Sequence, residues 1–126
     1  MQWILVGIGG GLGSVLRFWV QTRVRAAYPG ILPLGTLGVN LMGSLIIGFL
    51  AGWYLNATQP SQLKLFLMVG LLGGFTTFSS FSLENITLIQ SGHIRTSMAY
   101  LLVSNGLGIG LAYAGFLLAR SLARAA

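Results

Sequence analysis

The stretch GGFTTFSSF, residues 73–81, lies within a long apolar segment. Its two glycines weaken a helix, since glycine costs about 1 kcal/mol relative to alanine in a helix interior. The hydroxyls of Thr76 and Thr77 can satisfy the backbone groups that such an interruption frees. A broken helix is tolerated at membrane depth where protein or a cavity surrounds it, and its ends can aim carbonyls or amides at an ion. Phe75, Phe78 and Phe81 recur at every third position, so they line roughly one side of the helix. All of this presumes that the segment crosses a membrane, which composition decides.

The chain has 126 residues, of which 55% are hydrophobic and 6% charged, and its mean hydropathy is +0.84. That length suits a single domain, 1–126. A soluble domain carries about 25% charged residues, so most of this surface must face lipid. The absence of cysteine excludes a disulfide or a thiolate metal site. Seven Lys/Arg stand against one acid, Glu84, giving +6. These charges are scattered singly, without a basic stretch interleaved with aromatics, which argues against nucleic acid. They suit anionic lipid headgroups and a field that favours anions. The opening MQWILVGIGGG lacks the basic region of a signal peptide and reads as the start of a span.

Four segments have the roughly 20 apolar residues that a spanning helix needs: Trp3 to about Val24, Leu34 to Leu55, Leu63 to Ile89 and Ser97 to Leu118. Short connectors with Pro, Gly or Asn turn signals force neighbouring helices to be antiparallel. Both termini and the 56–61 connector share one side, which holds Lys64, Arg120 and Arg124, while Arg23, Arg25 and Arg95 lie on the other. Orientation normally follows a Lys/Arg excess. With three on each side, the chain is expected to insert both ways and to pair as an antiparallel dual-topology homodimer. GxxxG spacing at Gly7/Gly11, Gly9/Gly13, Gly48/Gly52, Gly70/Gly74 and Gly106/Gly110 suits close helix packing.

A rise of about 1.5 Å per residue puts Asn40, Phe78, Phe81, Glu84, Ser104, Tyr100 and Arg17 in one half of the bilayer. Each span thus gives a polar or aromatic group to one layer. Polar groups at depth tend to face an interior or a water-filled path. Plainer readings exist for each. A hydroxyl can bond to its own helix, Tyr100 can anchor at the interface, Arg17 and Glu84 can form a structural ion pair, and the Asn40 amide can meet a neighbouring carbonyl. The phenylalanines can simply pack. Alternatively, ring edges carry positive potential, and with Asn40, Ser79, Ser80 and Ser82 they make a neutral donor set for a small, hard anion. Carbonyls of two such breaks, meeting at a two-fold axis, could hold one cation.

The segments GGGLGSVLRF at 9–18, GTLGVNLMGSLIIG at 35–48 and GGFTTFSSFSLE at 73–84 resemble the Fluc (CrcB-type) fluoride channels, and the resemblance covers essentially the whole chain. It implies an all-α membrane protein of four transmembrane helices with a broken third helix, forming an antiparallel homodimer with two pores in the bacterial inner membrane. It implies passive fluoride export and no enzyme activity. Asn40 matches the pore-lining amide, and Phe78 and Phe81 match the paired phenylalanines that coordinate fluoride. The resemblance gives the carbonyls of Gly73 and Thr76 to a sodium ion at the two-fold axis. Thr36, Ser79, Ser80, Ser82, Tyr100 and Ser104 fall on or near the polar track, Glu84 lies near a mouth, and Arg17 matches the first-helix arginine. Gly108 departs from the pattern, standing where related channels can have serine. A small dual-topology, proton-coupled exporter of cationic compounds is the alternative, and Glu84 is its only available acid. A purely structural subunit is a third reading, but packing does not require the Asn40 and Phe78/Phe81 constellation.

Overall fold

The computed structural model describes residues 1–54 and 62–125. Helix α1 runs Gln2–Ala27 and α2 runs Leu34–Trp53. The third span, Gln62–Gln90, is built in pieces: α3 Gln62–Lys64, a π-helical segment Leu65–Leu71, α4 Leu72–Phe75 and α5 Phe78–Gln90. Helix α6, Ile94–Ala125, completes the chain. All four spans are long and apolar enough to cross a membrane. The first, third and fourth spans outrun the hydropathy limits, most clearly α6, which takes in Arg95, Arg120 and Arg124. Hydropathy marks the immersed stretch, whereas backbone hydrogen bonds continue until a cap or turn stops them. Leu55 and the 56–61 connector lie outside the described residues.

Between the third and fourth spans the chain reverses in three residues. The His93 N–H bonds to the Leu88 carbonyl at 2.8 Å and the Gly92 N–H to that of Ile89 at 3.0 Å. This Schellman closure needs a left-handed residue just past the helix, and Gly92 supplies it with φ 81°.

The spans pair as α1 against the third span and α2 against α6. Lipid gives no hydrophobic drive for helix association, so backbones must approach closely. A Cβ added at Gly48 would collide with the Ala112 carbonyl, at Gly115 with that of Leu45, and at Gly74 with that of Gly10. One at Gly9 would lie 2.7 Å from the Phe66 carbonyl. The pairs Gly9/Gly13, Gly48/Gly52 and Gly70/Gly74 therefore pack inside the protomer. Gly7/Gly11 and Gly106/Gly110 do not, since a Cβ at any of the four meets nothing within 4 Å.

The apolar distribution is inverted relative to a soluble protein. Trp3, Phe18, Leu102 and Ile109 are exposed, and the buried hydrophobic clusters are small: Val39, Leu72 and Phe75 in one, Phe81, Leu88 and Tyr100 in the other. Both clusters touch the stretch 73–81, so what order the interior has is concentrated there.

Candidate functional site: two cavities along the third span

Helix α4 stops at Phe75 because the next two residues are extended: Thr76 at φ −79°, ψ 157° and Thr77 at φ −150°, ψ 118°. The sequence supplies the partners for the groups so released. The Thr76 N–H and hydroxyl both donate to the Leu72 carbonyl, at 3.0 and 2.9 Å. Thr77 caps α5, its Oγ1 accepting from the Ser80 N–H at 3.2 Å, a contact worth about 1 kcal/mol at a helix N-terminus. The same hydroxyl donates to Ser80 Oγ at 3.0 Å and lies 3.3 Å from Ser79 Oγ.

Asn40 reaches this point from α2 and holds the backbone of Thr77 at both ends of its amide. Its Nδ2 donates to the Thr77 carbonyl at 3.0 Å, and its Oδ1 accepts the Thr77 N–H at 2.8 Å. The neighbouring-carbonyl reading of Asn40 is therefore correct in part, and the amide also lines a cavity. A primary amide has two N–H donors, so one donor remains beyond the bond to Thr77. One turn along α2, a Cβ at Gly43 would run into the Thr76 methyl, so glycine is what lets α2 come this close.

The first cavity, of about 410 Å³, is walled by Asn40, Thr76, Thr77, Phe78, Phe81 and Ser104, with Ser44 and Asn105 also at its edge. Among the described residues no charged side chain lines it. Phe81 is 6% exposed and Phe78 77% exposed, so one ring is fixed in the protomer and the other stands at its surface. Their centroids are 5.7 Å apart at 42°, and Phe81 meets Tyr100 edge-on at 5.0 Å and 62°. The buried Ser104 Oγ has no hydrogen-bond partner among the described residues. Gly108 lies one turn further on, and a Cβ there would be 3.5 Å from Ser44 Oγ. A hydroxyl from α2 therefore stands beside the position that lacks one.

The second cavity, of about 440 Å³, opens toward the 28–33 connector and is lined by Gln21, Arg25, Tyr28, Thr36, Ser80 and Glu84 among others. Glu84 receives the Thr36 hydroxyl on Oε1 at 2.6 Å and the Tyr100 hydroxyl on Oε2 at 2.9 Å. Gln21 Nε2 donates to Thr36 Oγ1 at 2.9 Å, which leaves the Thr36 hydrogen for Glu84. One network thus draws a residue from every span. The contribution of α1 is Gln21. The Arg17–Glu84 pair that was one of the two readings of these residues does not form among the described residues, and half-buried Arg17 lines neither cavity. Ser82 bonds to the Phe78 carbonyl of its own helix at 2.9 Å.

Sequence reasoning missed Gln21, Ser44 and Asn105. The expected use of the Thr76 and Thr77 hydroxyls on freed backbone groups holds, but the clamp that Asn40 places on the Thr77 backbone was not foreseen. Sequence reasoning also missed the buried bridge in which Ser97 Oγ donates to Asn85 Oδ1 at 2.8 Å while Asn85 Nδ2 donates to the Phe81 carbonyl at 2.8 Å.

The family described as "CrcB-like protein, Camphor Resistance (CrcB)" matches residues 4–116. This chain belongs to the CrcB-like family. The CrcB-like chain is 43% identical over 124 residues to the "Fluoride-specific ion channel FluC" of Rhizobium meliloti (strain 1021), covering 94% of this chain and 96% of that one. A protein of the same name from Azobacteroides pseudotrichonymphae is 45% identical, with 90% and 92% covered. Another, from Thermus thermophilus, is 40% identical, with 96% and 97% covered. With four spans of this length and apolarity, this CrcB-like chain is a multi-pass membrane protein.

Proposed function

We propose that this chain is a passive, fluoride-selective channel that lets fluoride leave the cytoplasm across the bacterial plasma membrane, and is not an enzyme. The observation that carries the reading is the first cavity, set between residues of the second, third and fourth spans, whose described lining holds neutral donors and aromatic rings and no charged side chain. The names of the relatives supply the ion. A small anion is costly to dehydrate, so each water it sheds must be replaced. Ring edges of Phe78 and Phe81 carry positive potential, the unpaired Ser104 hydroxyl can donate, and Asn40 keeps an amide hydrogen. None of these carries full charge, so each holds the ion weakly enough to release it, as conduction requires. Ser79, Ser80, Thr36 and Tyr100 continue the hydroxyl series toward Glu84.

The working unit in this reading is an antiparallel dimer with two pores. Balanced Lys/Arg counts support it, and so does the exposure of Phe78, whose ring edges would be completed by a second copy. A sodium ion at the two-fold axis belongs to the same proposal. The non-helical pair takes the N–H groups that the Gly73 and Thr76 carbonyls would accept in a continuous helix, those of Thr77 and Ser80, to other partners. The Thr77 N–H that Gly73 would accept goes to Asn40 instead. A Cβ at Gly73 would meet nothing within 4 Å, which leaves room for an ion and a second chain. Hard cations take oxygen ligands, and among the described residues no cluster of three or more His, Cys, Asp or Glu is available. The carbonyls of Gly73 and Thr76 fit the requirement, and sodium there would tie two breaks together.

The exporter reading needs a titratable acid in the binding site. Glu84 lies in the other cavity, with a hydroxyl donated to each of its oxygens. Fluoride efflux from liposomes holding the purified protein, compared with chloride and run without a proton gradient, separates the two readings. Fluoride efflux without chloride efflux is expected, whereas flux that requires a proton gradient favours the exporter.

A further inference from the structure

A carboxylate at the entrance to an anion pathway is a problem, because it repels the ion it should admit. Glu84 is the only acid in the chain, and it lines the second cavity. Its two hydroxyl donors spread its charge without cancelling it. The one cation among the described residues lining that cavity is Arg25. It sits in the last turn of α1, one turn beyond Gln21, which is tied to Glu84 through Thr36. Arg25 and Glu84 form no ion pair in the structure, and Arg25 is exposed. Its guanidinium is therefore a charge at the lining of that cavity rather than one consumed in a bridge.

Resting on the channel reading above, the geometry points to Arg25 as the residue that admits the anion: its positive charge offsets Glu84 across the vestibule and raises the local concentration of fluoride ahead of the neutral cavity. A cleft with low-dielectric walls focuses such a field and can raise anion arrival by roughly tenfold or more. The effect is long-range, so salt should erase it. The screening length is about 30 Å at 0.01 M and about 3 Å at 1 M. An arginine that serves only to meet lipid headgroups would leave flux unchanged when its charge is removed. Arg23, on the same turn of α1, lies over the Trp19 ring at 5.8 Å and lines neither cavity, so it is the internal comparison.

The chain contains no cysteine, so Arg25→Cys gives a single thiol that can be charged at will. The purified variant is labelled in detergent with a trimethylammonium-bearing or a sulfonate-bearing methanethiosulfonate. Labelling is checked by mass, and the protein is then reconstituted beside wild type and Arg23→Cys treated alike. At about 10 mM salt, the cationic label is expected to return fluoride efflux to within about twofold of wild type, and the anionic label to depress it by roughly tenfold. The gap should close near 1 M salt. The Arg23→Cys samples should show no such dependence. Both labelled samples come from one folded protein, so the comparison does not depend on how well the substitution itself is tolerated. Equal flux from the two labels at low salt overturns the role of Arg25. Absence of fluoride flux in wild type overturns the channel reading instead.

Discussion

Asn40→Asp changes one group by almost no volume, yet it removes a donor and adds a charge. The carboxylate still accepts the Thr77 N–H, now at 2.8 Å, but it cannot donate to the Thr77 carbonyl 3.0 Å away. Two oxygens then face each other, and the carbonyl loses its partner, at a cost of about 1–3 kcal/mol. A full negative charge also enters a cavity whose lining has none. An anion about 5 Å away, at an effective dielectric constant of about 20, is repelled by about 3 kcal/mol, which is more than a hundredfold in rate. The charge term thus equals or exceeds the structural one. Fluoride efflux should fall by about two orders of magnitude, while the dimer still elutes as one species by size exclusion. Asn40→Ala, which loses both bonds but adds no charge, separates the two terms and should retain more flux than Asn40→Asp. A folded Asn40→Asp dimer with efflux within a factor of about two of wild type would refute the reasoning.

Phe78→Ile and Phe81→Ile should each stop fluoride flux in liposomes without unfolding the dimer. Thermal melting in detergent should show a stability loss of about 1–3 kcal/mol for Phe81, whose ring is buried within the protomer. Gly48→Ala should separate α2 from α6, because its methyl would collide with the Ala112 carbonyl, and it should lower the melting temperature sharply. Gly106→Ala meets nothing in the protomer, so a loss of stability would point to a contact with a second copy, as the proposed dimer requires. Replacing sodium by a large organic cation should lower dimer stability, and substitutions at the neutral cavity should leave that sodium dependence intact. A C-terminal tag should be cleaved to about half by protease outside sealed vesicles, as dual insertion requires; complete cleavage from one side contradicts antiparallel pairing.

Depth was legible in the sequence, and direction around the helix axis was not. Hydropathy located all four spans, because a bilayer demands long apolar runs and little else does. The polar layer could be placed by counting residues at a fixed rise. Which member of that layer touches which is a question of rotation and side-chain length. Arg17 and Gln21 are one turn apart on α1, yet Gln21 alone is bound to Thr36. The sequence placed Arg17 at the right height for Glu84 and could not reveal that the carboxylate is engaged by Thr36 and Tyr100. Asn40 has the same history: its depth was readable, but its two bonds to Thr77 depend on the extended geometry at 76–77 and on the bare surface of Gly43. The glycine spacing was likewise ambiguous, since GxxxG at 48/52 and at 106/110 looks identical until a neighbour is known to lie against one and not the other.

The most direct measurement is the reversal potential of the current carried by purified protein in a planar bilayer, with a fluoride gradient and equal pH on both sides. The account predicts a steady current that reverses at the fluoride equilibrium potential and does not move when chloride is varied. A reversal potential that tracks the proton gradient, or that shifts with chloride, would contradict it.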